Sequence, residues 1–272
     1  MRRLKTAKSV VESRITSIDF KKANMLQILN ASRTGDATVS HSIFQIFPKD
    51  ESRVLAECEL KTVSRWAFER FTRAYELWDA HEANTFYRQI STTPLAASLW
   101  GHVFEAKVLN YISAHGCDLD IRGLTSPGIT RWSCCGPIPH SNFQREFGFV
   151  RELTESVRDN KDSLHLVPSV RNFTAVDSIL YTRNEVLTLI QCTVGEKHGI
   201  AATGLDDLQS WLKKGTLLAP LRSSNQRPWR LIFIVPPSQA STFKLQPLKS
   251  DNKNKWVGKV NQYVLGLDVL GN

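Results

Sequence analysis

Residues 175–200 read AVDSILYTRNEVLTLIQCTVGEKHGI. Two apolar runs flank the polar stretch TRNE at 182–185, the pattern of a β-hairpin. Each run carries one polar residue in an awkward place: Asp177 interrupts VDSIL, and Gln191 follows LTLI directly. A three-residue turn, 183–185, pairs Thr182 with Val186 and sets Asp177 directly opposite Gln191, with both side chains on one face of the sheet. Thr193 joins that face, while Ile190, Cys192 and Val194 point the other way. A two-residue turn breaks this register. The plain reading of the pair is a polar contact at an exposed sheet edge; the chemical reading is part of a metal site.

Outward from the hairpin, the chain alternates between helical and strand patterns. GLDDLQSWLKKGTLLAPL begins as an amphipathic helix, with Leu205, Leu208, Trp211 and Leu212 on one side, and ends near Gly215. RLIFIVP (230–236) is a continuous apolar run stopped by two prolines, which predicts a buried central strand. The terminal WVGKVNQYVLGLDVL predicts a last helix. Upstream, FGFVREL (147–153) and SLHLVPS (163–169) predict two strands about the polar TESVRDNKD, and the Gly-, Pro- and Ser-rich 115–144 predicts loops with one or two short strands.

STTP (91–94) signals the start of a helix running to about Ser113, packed through Leu99, Val103, Ala106 and Leu109. Glu105 lies near that packed side, either semi-buried for a chemical reason or reaching to the edge, and Gly101 lets a backbone or ligand approach. From Ser64 to Ile90 a second helix carries Trp66, Phe68, Phe71, Tyr75 and Trp78 as a core-facing stripe. HSIFQIFP (41–48) and RVLAECEL (53–60) predict two strands; residues 1–40 are polar and weakly periodic. The order of elements predicts an α/β fold with a mixed central sheet flanked by helices.

The 42% apolar and 22% charged content matches a soluble globular protein. No apolar run approaches the ~18–20 residues of a membrane span, and no secretory signal is seen, so an intracellular, cytoplasmic or nuclear, location is expected. Five cysteines, an odd number without CxxC spacing, suggest neither a disulfide framework nor a zinc ribbon. Cys134, Cys135 and His140 lack a fourth ligand and read as free thiols beside a histidine. The net charge of +9 is uneven: between Asp206 and Gln262 stand ten Lys/Arg against three Asp. Lys213, Lys214, Arg222, Arg227 and Arg230 are the candidates for gripping a phosphate backbone, and a merely solvated basic face is the alternative.

Phosphodiester cleavage calls for hard oxygen ligands around Mg²⁺, which takes one or two carboxylates besides the phosphate. Asp177, the Gln191 side-chain oxygen and Glu105 are the candidate oxygens, and Lys197 the candidate ammonium. A helical Glu, a strand Asp, then (Glu/Gln)-x-Lys on the next strand and a helix resembles the PD-(D/E)xK nuclease superfamily. More narrowly, SLWGHVFEAKV, AVDSIL, LIQCTVGEKHGI, GLDDL, IFIVP and QYVLGL, in that order, resemble the C-terminal nuclease-like domain of fungal Crinkler and retrotransposon-hot-spot proteins.

That resemblance covers about residues 92–272 and implies a restriction-endonuclease-like three-layer core, Mg²⁺ or Mn²⁺ as cofactor, and DNA as partner. It implies Glu105, Asp177 and Gln191 as metal-site positions, with Thr193 where the superfamily has lysine; Lys197 or His198 stands in for it. Residues 1–91 resemble the tail of an NTPase module, a mainly helical extension, although no GxxxxGK[ST] string is present. Three functions are therefore expected to compete: a metal-dependent nuclease, an inactive pseudo-nuclease that binds nucleic acid or protein, and a protein-interaction domain with a basic face.

Overall fold

The computed structural model of the protein describes residues 9, 12–13, 15, 44–48, 58–62, 65–92, 96–169, 173, 176–249 and 255–270. Residues 1–103 with Asn272 form one compact unit and Phe104–Gly271 another. In the first, β1 (Phe44–Pro48) and β2 (Cys58–Thr62) pair antiparallel. β1 falls within the expected strand 41–48, and β2 overlaps the expected 53–60 only at 58–60 and runs on to Thr62; residues 41–43 and 53–57 lie outside the described residues, as does the expected Thr93–Pro94 cap.

The single helix expected over 64–90 is two: α1 (Arg65–Trp78) and α2 (Ala80–Ser91). Asp79 is the cause. Its backbone is extended and its carboxylate accepts the amides of His81 and Glu82, so it ends one helix by capping the next. Of the aromatic stripe, Phe71 is fully buried and meets Phe86 of α2 edge-on at 6.5 Å; the side chains of Phe68, Tyr75 and Trp78 lie outside the described residues. Asp79→Ala is expected to lower the stability of this unit by about 1 kcal/mol, the usual cost of a lost cap, as read by urea unfolding followed by far-UV circular dichroism.

The second unit is built on an eight-stranded mixed sheet, ordered β4-β3-β12-β10-β8-β7-β6-β5. Its strands are β3 (Gly116–Gly123), β4 (Ile129–Cys135), β5 (His140–Phe143), β6 (Ser163–Pro168), β7 (Ser178–Thr182), β8 (Thr188–Cys192), β10 (Trp229–Val235) and β12 (Val260–Gly266). The buried run β10 is central, parallel to β8 on one side and β12 on the other, as its continuous apolar sequence requires. Edge strands β4 and β5 are joined by residues 136–139 alone, and Cys134 Sγ lies 3.9 Å from Thr182 Oγ1 of β7, so the sheet curls.

Helices cover both faces. Leu189, Phe233, Ile179 and Val264 share one face and pack with α4 (Arg145–Arg158) and α5 (Ala202–Trp211) through Phe149, Leu153, Leu205 and Leu208. The other face carries His165 and Cys192. Ser113, near the end of α3 (Ala97–His115), places its hydroxyl 2.8 Å from His165 Nδ1 there. A short strand pair, β9 (Ile200–Ala201) with β11 (Leu248–Lys249), and the single turn α6 (Pro237–Ala240) complete the unit. Among the described residues no helix is long and apolar enough to cross a membrane.

Three expectations are corrected. FGFVREL is not a strand but the first half of α4, because Phe149, Leu153 and Ser156 recur at helical spacing and are buried, while Phe147 is 78% exposed. The terminal segment is not a helix but β12. Gly258, at φ 73°, precedes it, and Val260, Gln262 and Val264 then alternate into the core. Residues 115–144 hold a long antiparallel hairpin, β3–β4, besides β5.

Candidate active site

The hairpin register is the one a three-residue turn demands. Ser178 pairs with Ile190 and Leu180 with Thr188; Glu185 N donates to Thr182 O at 3.1 Å, and Asn184 takes the left-handed conformation that asparagine tolerates. Asp177 N donates to Ile190 O at 2.9 Å as the last backbone rung. At the next rung Cys192 N donates to Asp177 Oδ2 at 2.7 Å, so the carboxylate stands where a strand carbonyl would. The same oxygen accepts Gln191 Nε2, also at 2.7 Å.

This is no exposed edge. β8 lies between β7 and β10, Gln191 is only 6% exposed, and a buried amide needs its partner. Asp177 is half-buried at the strand end.

Cys192 faces away from Gln191, toward the side on which α3 packs. Burial pushes its thiol well above the ordinary cysteine range, and the negative charges of Asp177 and then Glu105 push it further. Glu105, half-buried on α3, is thus within electrostatic reach of the Cys192 thiol, as Asp177 is.

Beyond the strand, Thr193 N donates to Ile234 O at 3.0 Å, and Thr193 Oγ1 accepts Gly195 N at 3.1 Å. The Thr193 hydroxyl is thus a turn anchor. Lys197 is exposed on the segment that follows. His198 is half-buried; burial and the nearby Lys249 ammonium hold its imidazole below the usual value, which keeps it neutral near pH 7. A Cβ on Gly199 would come within 2.5 Å of Lys249 Cε, so the lysine stem lies across that glycine.

Three glutamines that sequence reasoning missed hold this segment. Gln246, 4% exposed, accepts His198 N at 2.6 Å and donates to Glu196 O at 3.2 Å. Gln262 of β12 clasps the Gln246 backbone, donating to its carbonyl at 2.8 Å and accepting its amide at 2.9 Å. Gln239 donates to Val194 O at 2.8 Å. No spacing marks them, because the three come from three separate segments; only the buried, core-facing position of Gln262 on a period-two strand was a usable signal.

The candidate phosphate contacts do not gather at this site. Arg222 donates to the carbonyls of Gln209 and Leu212 at 2.5 and 2.6 Å, closing the end of α5. Arg230 pairs with Glu185 at 3.2 Å, and Arg227 reaches the Glu185 carbonyl, so both sit at the hairpin turn. Arg230 is in register with Thr188, roughly 10 Å of strand from Gln191. Lys213 is exposed and 3.3 Å from Glu146; Lys214 is exposed. Cys134 is buried, Cys135 and His140 exposed, and both cysteines are free thiols.

Among the described residues no three His, Cys, Asp or Glu side chains form a metal-holding group. The structure brings Asp177 and Gln191 together through their hydrogen bond, while Glu105 comes from α3 on the opposite face of the sheet; carboxylate and amide oxygens are of the type that Mg²⁺ or Mn²⁺ takes. With Gln191 Nε2 on Asp177, the amide oxygen turns to a cation only by a flip about a soft terminal torsion. No family model matches the chain, and no curated protein and no solved structure matches it either.

Proposed function

We propose that residues 92–272 are a restriction-endonuclease-like domain that hydrolyses phosphodiester bonds of DNA with Mg²⁺ or Mn²⁺. The observation that carries this reading is the Asp177 carboxylate at the end of a mixed sheet, hydrogen-bonded by Gln191 and Cys192 N. Helices on both faces of that sheet accord with it.

Asp177 and Glu105 would hold the cation, with Gln191, on the face of β8 opposite α3, holding the Asp177 carboxylate in place. A divalent cation there supplies a water of lowered pKa and neutralises charge on the scissile phosphate. The Cys192 amide fixes the Asp177 oxygen it touches. Lys197 lies on the segment that Gln246 clamps and would be the cation that meets a phosphate oxygen, and the neutral His198 would accept a proton.

A second reading rests on Thr193. Its hydroxyl is tied to Gly195 and brings no positive charge, which favours a domain of the same fold that binds without cutting.

Nicking of supercoiled plasmid in Mg²⁺ or Mn²⁺ decides between them, with wild type beside Glu105→Ala, Lys197→Ala and Thr193→Lys, and EDTA as control. The nuclease reading expects nicking that EDTA abolishes, that Glu105→Ala lowers by about 100-fold and that Lys197→Ala lowers by about 10-fold or more. No nicking by wild type, with plasmid retarded on a gel and cleavage gained in Thr193→Lys, establishes the second reading. Neither nicking nor retardation at low salt excludes both and leaves a protein-interaction domain.

A further inference from the structure

The first turn of α4 carries a large aromatic side chain in solvent. Phe147 is 78% exposed, while Phe149 and Leu153 on the same helix are fully buried. Lys213 Nζ stands 3.3 Å from Glu146 Oε1, which brings the end of α5 beside this turn, and the rings of Phe149 and Trp211 meet at 5.5 Å beneath it. Exposed Arg145 lies two residues before Phe147, and Lys213 reaches the same turn through Glu146, with exposed Lys214 next to it in the chain. The acids close by are Glu146, already paired with Lys213, and Glu152, paired with Arg151 at 2.6 Å. Cations exceed anions.

The patch also lies at the right end of the sheet. α4 follows Phe143 of β5, which pairs with Pro168 of β6, at the end where β7 begins. β5 is two strands from β7, a lateral distance of about 10 Å.

We propose that this patch binds single-stranded nucleic acid, an unpaired base stacking on Phe147 while Arg145, Lys213 and Lys214 meet the phosphates on either side. A flat exposed ring among cations is suited to a base, because every base has a π-face and every linkage a negative charge. Duplex DNA buries its base faces in its own stack and has nothing to offer the ring. The occupant is thus a single strand, or the frayed end or flap of a duplex, leading toward Asp177. This rests on the nucleic-acid part of the reading above, but not on cleavage.

The test is fluorescence anisotropy in EDTA, with a fluorescein-labelled fifteen-nucleotide oligothymidylate and a labelled duplex of the same length. Phe147→Ala is expected to weaken oligothymidylate binding about 10-fold and leave duplex binding within about twofold, with Phe147→Trp close to wild type. Lys213→Ala with Lys214→Ala should weaken both and flatten the salt dependence for the single strand by about 0.7 for each phosphate no longer neutralised. Wild-type affinity in Phe147→Ala, or an equal loss for both probes, overturns the proposal while wild-type binding keeps the nucleic-acid reading. No binding of either probe by wild type overturns both. Phe147-dependent binding to phosphatidylserine vesicles without oligonucleotide binding would make the patch a membrane contact instead.

Discussion

Asp177→Ala is expected to abolish metal-dependent cleavage, by about 100-fold or more, and also to destabilise the domain by about 2 kcal/mol. Both effects follow from one carboxylate. Under the proposed nuclease reading it is a ligand, and its loss would remove cation charge from the scissile phosphate. As an acceptor it satisfies the Cys192 amide and the buried Gln191 amide, and alanine strands both donors. The two roles separate in Asp177→Asn, which keeps an oxygen for the Cys192 amide but loses the charge. That variant should stay within about 1 kcal/mol of wild type in urea unfolding and still lose most of the cleavage. Full cleavage in Asp177→Asn would remove Asp177 from the metal site. Wild-type stability in Asp177→Ala would show that water reaches the stranded amides, and that the sheet end is more open than a 6% exposed Gln191 allows.

The hairpin was legible because its information is local. Turn length fixes register, and register fixes which of Asp177, Gln191 and Thr193 share a face. β10 and α5 were legible for the same reason, since a continuous apolar run and an i, i+3, i+4, i+7 stripe are properties of single segments.

α4 and β12 were not, because in both a few side chains mimic the wrong period, exposed in α4 but half-buried or buried in β12. An outward-facing Phe147 completes a false alternation in FGFV, and Tyr263 and Leu265 between Val260 and Gly266 complete a false stripe. The Gln246–Gln262 clamp and the remoteness of Arg230 from the candidate site are properties of strand order, which no window of sequence contains. The charge count had the same weakness. It summed over a segment whose cations are divided between a helix end, a hairpin turn and the face beside α4.

The second large effect is on stability, and it lies away from the candidate site. His165 of β6 is fully buried, with Nδ1 2.8 Å from Ser113 Oγ and no hydrogen-bond partner on Nε2 among the described residues. Burial, then the charge of nearby His140, lowers its pKa to about 4 from an ordinary 6.5. The folded protein therefore holds a neutral ring throughout the range in which the unfolded chain takes up a proton. Above pH 6.5 neither state is charged here and the full stability is present. As pH falls from 6.5 toward 4 the unfolded state gains a proton that the native state refuses, and stability falls by as much as about 1.4 kcal/mol per pH unit. Below 4 both states are protonated and this group adds nothing more.

Between pH 7.5 and pH 4.5 the loss due to His165 should come to about 2–3 kcal/mol. Carboxylates contribute to the same window, so the wild-type curve alone does not isolate it. The difference between wild type and His165→Gln does, because the carboxylates are common to both. The glutamine variant should be less stable at pH 7.5, from imperfect packing, and should lose about 2–3 kcal/mol less than wild type on going to pH 4.5, by urea unfolding at each pH. An identical loss in the two proteins would mean that His165 is protonated in the folded state. Ser113 and the face of the sheet beneath α3 would then have to make room for a hydrated cation, which a side chain with no exposed surface does not permit.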